Sequence, residues 1–129
     1  MLMLDVNPDT VCRLIALAQV FHAKEAVVIP EEPTSPSDDW AMQVLADHAD
    51  DEVFIEFKSI VDDLEPDQQQ QVVALLWLGR GDGTLEEWPE LLEQAQDDWN
   101  PNTAEYLIAH PFLADHLREA LDMQGYVCE

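Results

Sequence analysis

Apolar residues recur along this chain at the three-and-four spacing of helices, and no stretch of convincing length alternates as a strand does. Asn7 and Pro8 supply an N-cap and a proline at the first helical position. Val11, Leu14, Ile15, Ala18 and Phe21 then hold one face, predicting a first helix that runs to about residue 26. Pro30, Pro33 and Pro36, mixed with Glu31, Glu32, Thr34 and Ser35, would interrupt any helix and predict an exposed loop over about 29–37. Ser37 is placed to cap a short helix reaching about His48. Asp50 can cap another, in which Val53, Phe57, Ile60 and Leu64 share a face beside Phe54 and Val61, while Glu52, Glu56, Ser59 and Asp63 take the opposite edge. Pro66 opens the next helix. Its second half, Val72 to Leu78, is apolar on every side, the mark of a helix enclosed by others.

Gly79, Gly81 and Gly83 end that central helix, and Thr84 with Glu87 offers a capping box for the helix that follows. Pro89 delays the regular start of this next helix. Asn100-Pro101 repeats the cap-plus-proline device, Pro111 bends or restarts the chain, and Leu113, Leu117, Ala120 and Leu121 continue to a stop at Gly125. The expected architecture is all-α: one domain over residues 1–129, a bundle of six or seven helices around the central apolar one. No internal repeat suggests a solenoid.

The helix after Gly83 is unusual in its polar face. Glu86, Glu90, Glu93 and Asp97 follow one another at helical steps opposite Trp88, Leu91, Leu92, Ala95 and Trp99, and the segment Asp82 to Asp98 contains no Lys, Arg or His. A row of charge from Glu86 to Asp97 spans roughly 16 Å. Nucleic acid carries a charge about every 3.4 Å along each strand, so a protein mimic of that backbone needs a second row. Glu52, Glu56 and Asp63 would supply it if their helix lay beside this one.

Net charge extends the picture to the whole molecule. The chain has 129 residues, 28 carboxylates against five Lys and Arg, and a formal charge of -23. Such a surface repels nucleic acid and anionic membranes and attracts basic surfaces. Hydrophobic residues at 47%, with four tryptophans, argue against disorder. Cys12 and Cys128 form no spaced framework, so free thiols in a reducing compartment are expected. Met1 to Leu4 is apolar but gives way at once to Asp5 and Asn7-Pro8, well short of a signal-peptide core, and no run approaches membrane-spanning length. A cytoplasmic location is expected.

Motifs for chemistry fail on register. With Gly83 at the sixth position of a calcium loop, the first and third positions fall on Leu78 and Arg80 and the twelfth on Pro89, so an EF-hand is excluded. Arg80-Gly81-Asp82 reads as a helix-ending turn rather than an adhesion signal. His22 lies on the apolar face of the first helix. His110 and His116 are spaced wrongly to share a metal, and both read as structural. His48 with Asp47, Asp50 and Asp51 has suitable ligand atoms, but in so acidic a chain such neighbours arise by chance. No catalytic residue, metal or cofactor is assigned.

The run Val73-Ala74-Leu75-Leu76-Trp77-Leu78-Gly79-Arg80-Gly81-Asp82, with Glu86-Glu87-Trp88, Thr103-Ala104-Glu105-Tyr106-Leu107 and Pro111-Phe112-Leu113, resembles a family of small acidic bacterial proteins, domain of unknown function 3775. Pro8 to Cys12 and Asp38-Asp39 are also similar to it, so the resemblance covers nearly the whole chain. The family has a bulky apolar residue where Gly83 stands. The resemblance implies an all-helical protein and carries no activity. Its matching positions, Trp77, Gly79, Arg80, Gly81, Asp82, Trp88 and Tyr106, mark a shared cluster for which a structural role is favoured. Arg80 is also the only basic residue between Lys58 and Arg118, and its planar fork suits holding several carboxylates together.

These readings converge on a non-enzymatic acidic protein that binds a basic protein surface, most concretely one that itself binds nucleic acid, as a mimic and inhibitor would. Two alternatives stand beside it: a small-ligand protein or enzyme centred on Trp77, Arg80, Asp82 and Tyr106, and a passive charged surface adapted to high salt.

Overall fold

The computed structural model describes residues 6–23, 51–99 and 101–128. The Pro-rich loop expected at 29–37 and the short helix from Ser37 to His48 lie outside the described residues. Within them the chain is all-α. Six α-helices follow in order: α1 (Pro8–His22), α2 (Glu52–Asp63), α3 (Pro66–Arg80), α4 (Trp88–Asp98), α5 (Thr103–Ile108) and α6 (Leu113–Met123), with a 3-10 turn at Leu85–Glu87 before α4.

Local sequence chemistry sets most of these boundaries. Asn7 Oδ1 accepts from the Asp9 N–H at 2.9 Å, and Pro8 occupies the first turn, where a missing N–H does no harm. The helix ends at His22 rather than near 26. Asp51, not Asp50, caps α2, its carboxylate accepting from the Val53 and Phe54 amides. At the C-terminus of α3, Gly81 takes φ +94°, and the amides of Gly81 and Asp82 bond back to the Leu78 and Trp77 carbonyls. This double closure requires a residue at ease in the left-handed region. Thr84 and Glu87 form their expected box, with the Thr84 N–H donating to Glu87 Oε1 at 2.9 Å, but around the 3-10 turn rather than α4 itself. Pro89 sits in the first turn of α4. Asn102, not Asn100, stands at the N-cap of α5.

The all-apolar run of α3 is the centre of the bundle. Residues from Val72 to Leu78 are all buried, and α3 packs against α4, α5 and α6. Helix α1 covers α6 and α2, burying Val11, Leu14, Ile15, Ala18 and Phe21, while α2 closes over α5 with Phe54, Phe57 and Val61. At roughly 1.5–3 kcal/mol for each large apolar side chain fully buried, these faces supply the main drive to fold. Gly79 lets α3 and α6 approach more closely than any side chain would allow, because a Cβ there would lie 1.7 Å from the His116 carbonyl oxygen. Gln69 ties three elements at one corner. Its Nε2 donates to the Val61 carbonyl at 2.8 Å, and its Oε1 accepts from Trp99 Nε1 at 2.7 Å.

Two expectations are corrected. Cys12 and Cys128 are not free thiols but a disulfide, joining α1 to the segment after α6 across 116 positions with Cα atoms 5.6 Å apart. Sequence spacing could not show this, since only the packing of α1 on α6 brings the two together. In addition, α2 and α4 do not pack side by side: α2 lies on α1 and α5, and α4 lies on α3. Glu52, Glu56 and Asp63 therefore form no second row beside the acidic helix. No helix among the described residues is long and apolar enough to cross a membrane.

Candidate functional site

The end of α3 projects Trp77 and Arg80 toward α5, and the left-handed cap at Gly81 turns Asp82 back onto the guanidinium. Arg80 Nε and Nη2 both donate to Asp82 Oδ2, at 3.0 and 2.5 Å. On the other side Nη1 meets His110 Nε2 at 3.1 Å. A guanidinium only donates, so His110 Nε2 must carry the lone pair, and Nδ1–H then donates to the Tyr106 carbonyl at 2.9 Å. The tautomer is fixed by its two neighbours. His110 is fully buried, and that burial, reinforced by the charge of Arg80 and opposed by the bond to Tyr106, pushes its pKa down to about 4. Trp77 Nε1 donates to the Tyr106 hydroxyl at 2.8 Å, and burial raises the pKa of that phenol.

The structure thus brings together Trp77, Arg80, Asp82 and Tyr106, and adds His110, which the sequence reading treated as structural but did not attach to the cluster. Gly79 and Gly81 serve the helix contact and the helix end. Trp88 is buried in the core at the start of α4. At Gly83 the Leu91 methyl carbons lie 3.3 Å from where a Cβ would stand, so Leu91 closes the space beside it. Arg80 was expected to hold several carboxylates, and Asp82 is one that it holds; Lys58 holds two, its Nζ lying 3.1 Å from Asp62 and 3.4 Å from Glu105. Burial works to lower the Lys58 pKa, but the bonds and charges of the two carboxylates outweigh it and the net shift is upward. Glu105 is buried on the enclosed helix α5, which is why it needs that ammonium. Beside the Arg80 cluster lies a cleft of about 320 Å³, lined by Trp77, Arg80, Asp82, Leu91, Gln94 and Asp98.

The acidic residues are arranged differently. Glu90, Glu93 and Asp97 lie exposed along α4, and Glu86 is exposed on the 3-10 turn, where the change of pitch takes it off the α-helical row. None of the four makes an ion pair with a described residue. Glu93 and Asp97 line a groove of about 640 Å³ between α4 and α3, opposite Asp67 and Gln70, with Leu92 and Pro89 also lining it. The last turn of α4 holds Asp97 and Asp98 and no basic residue. Negative charge at a helix C-terminus opposes the macrodipole by about 0.3–1 kcal/mol per group. On α2, Glu52 and Asp63 are exposed, and Glu56 is paired with Arg13.

No group of three or more His, Cys, Asp or Glu among the described residues could hold a metal ion; His48, Asp47 and Asp50 lie outside them. The chain belongs to the family described as Protein of unknown function (DUF3775), whose model matches residues 55–126. The stretches Pro8 to Cys12 and Asp38-Asp39 fall outside that match. Comparison with curated proteins and with solved structures gives no match.

Proposed function

We propose that this protein is a non-enzymatic acidic interaction protein whose α4 face binds a basic protein surface, most concretely one that otherwise binds nucleic acid. The observation that carries the reading is the placement of Glu90, Glu93 and Asp97. They are exposed, unpaired among the described residues, set on a hydrophobically anchored helix, and continued by Asp67 across the α3 groove. Placing Asp97 and Asp98 against the helix dipole opposes local stability, which fits charge directed at something outside the molecule. A two-row imitation of a nucleic-acid backbone draws no support from α2, which does not pack beside α4, so the recognition we infer is a single acidic ridge and its groove.

The test is capture of partners from the native host. Yield should fall steeply with added salt, since exposed charges are screened over about 8 Å at physiological ionic strength. Changing Glu86, Glu90, Glu93 and Asp97 to glutamine should weaken capture strongly at low salt and little at high salt. A variant that binds the native partner as tightly as the parent would assign the ridge to solubility or to life at high salt. The cleft beside Trp77 and Arg80 favours a second reading, a small-ligand site, which a ligand seated against Arg80 would establish.

The expected cytoplasmic location stood in part on free thiols. Disulfides persist in oxidising compartments and are transient in reducing ones, so in a cytoplasmic setting the Cys12–Cys128 bond would be made and broken.

A further inference from the structure

The C-terminal segment is held in two unequal ways. Up to Tyr126 the backbone is held by last-turn bonds of α6, the kind that opens most readily at a chain end: the Gln124 amide bonds to the Ala120 and Leu121 carbonyls, the Gly125 amide to Asp122, and the Tyr126 amide to Leu121 at 2.9 Å, with Gly125 at φ +88°. Beyond it, Val127 and Cys128 make no hydrogen bond with a described residue, and Val127 is 78% exposed. The bond from Cys128 to Cys12 is the covalent hold on the end of the described chain, beside the partial packing of Tyr126 and Cys128 against the core. Helix α1 on the other side of that bond needs no such help, because six of its side chains are buried in the core.

Two further observations bear on the same segment. At its root the Gln124 side chain has both amide atoms buried without a partner, so the closed position leaves a polar group unsatisfied that an open one would return to water. Moreover, both cysteines lie outside residues 55–126, so the bond is built outboard of the stretch the family model matches. The segment also separates two surface clefts, one of about 430 Å³ along α6 lined by Arg118, Leu121 and Tyr126, and one of about 560 Å³ at Asp9, Cys12 and Arg13. Val127 lines both.

We propose that the Cys12–Cys128 disulfide is a redox latch: its reduction frees residues 124–128 and merges the two clefts across the seam between α1 and α6, leaving the helical core folded. The chemistry is thiol–disulfide exchange with a dithiol. One thiolate of the reductant attacks a sulfur of the pair, forming a mixed disulfide and releasing the other cysteine. The second thiolate of the reductant then displaces the remaining cysteine, so two electrons and two protons pass to the protein and the dithiol leaves as a cyclic disulfide. Both cysteines are partly exposed, as that attack requires.

Hydrogen exchange followed by mass spectrometry on the full chain, oxidised and after dithiothreitol, tests this. The expected result is faster exchange at the Gln124, Gly125 and Tyr126 amides on reduction, with α3 and the body of α1 unchanged, and the same pattern without reductant in Cys12→Ser and in Cys128→Ser. Exchange that rises throughout α1 and α3 would make the bond a global staple and overturn the latch. Unchanged exchange at all three amides would overturn it too, as would an oxidised protein whose intact mass retains both thiol hydrogens.

Discussion

The Arg80 cluster and the α4 ridge are both built from charged side chains, yet they are opposites. At Arg80 each polar group meets a partner: the carboxylate of Asp82, the lone pair of His110, the carbonyl and hydroxyl of Tyr106. On α4 the carboxylates of Glu90, Glu93 and Asp97 meet solvent. The chain has five basic residues, and three of them are seen bridging separate parts of the fold, Arg13 to α2, Lys58 to α5, and Arg80 to the turn after α3. Of these only Lys58 meets a buried carboxylate, Glu105, where an unpaired charge is most expensive. Among the described residues the ridge receives none.

If the cluster end of α3 is structural, the largest effect belongs to the helix contact beneath it. Gly79→Ala should destabilise by more than about 3 kcal/mol, because the new methyl collides with backbone at His116 rather than with a side chain able to move. A denaturant midpoint within error of the parent would show that α3 and α6 can separate freely. Next comes pH. His110 is held near 4 in the folded state against about 6.5 in the unfolded chain. Between those values the unfolded chain binds the proton more readily. The contribution, about 3 kcal/mol, is therefore fully present above pH 6.5 and lost as pH falls toward 4. His22, lowered by burial, acts in the same direction. Urea midpoints at pH 7 and pH 4.5 should diverge more for the parent than for His110→Gln, and equal divergence would mean that His110 does not titrate as buried.

Smaller effects sharpen the contrast. Lys58→Ala strands the buried Glu105, and Arg80→Ala strands Asp82 and the His110 lone pair. Each should cost about 2 kcal/mol, less than a fully buried pair because both cations reach solvent. Melting temperatures that match the parent for either would remove it from the framework. Smallest is the ridge itself: changing its four acids to glutamine should stabilise the fold by about 0.2–0.5 kcal/mol for each like-charged neighbour pair relieved. A clear loss of stability would show that the row has partners within the molecule after all.

Helix identity was legible in the sequence because it rests on short-range chemistry. The caps at Asn7 and Thr84, the prolines at 8, 66 and 89, and the all-round apolar run of α3 each announce themselves within a few residues. The cluster was half legible, as Trp77, Gly79, Arg80, Gly81 and Asp82 are contiguous and mark the end of a helix. His110 was not attached to it because it lies 30 positions from Arg80, and nothing local says which face of the next helices will meet a guanidinium. The same limit hid the disulfide and the burial of Glu105. It also produced the misplaced second acidic row: periodicity tells which side of α2 is polar, but not which helix stands beside it.

The fixed ring of His110 offers a direct view of the assembled bundle. An imidazole whose Nδ1–H points at a carbonyl from a fully buried position holds a proton that bulk water reaches only when the cluster opens. In a nitrogen-15 spectrum that single N–H reports the Nδ1 tautomer, and its persistence times the separation of α5 from the end of α3 in solution.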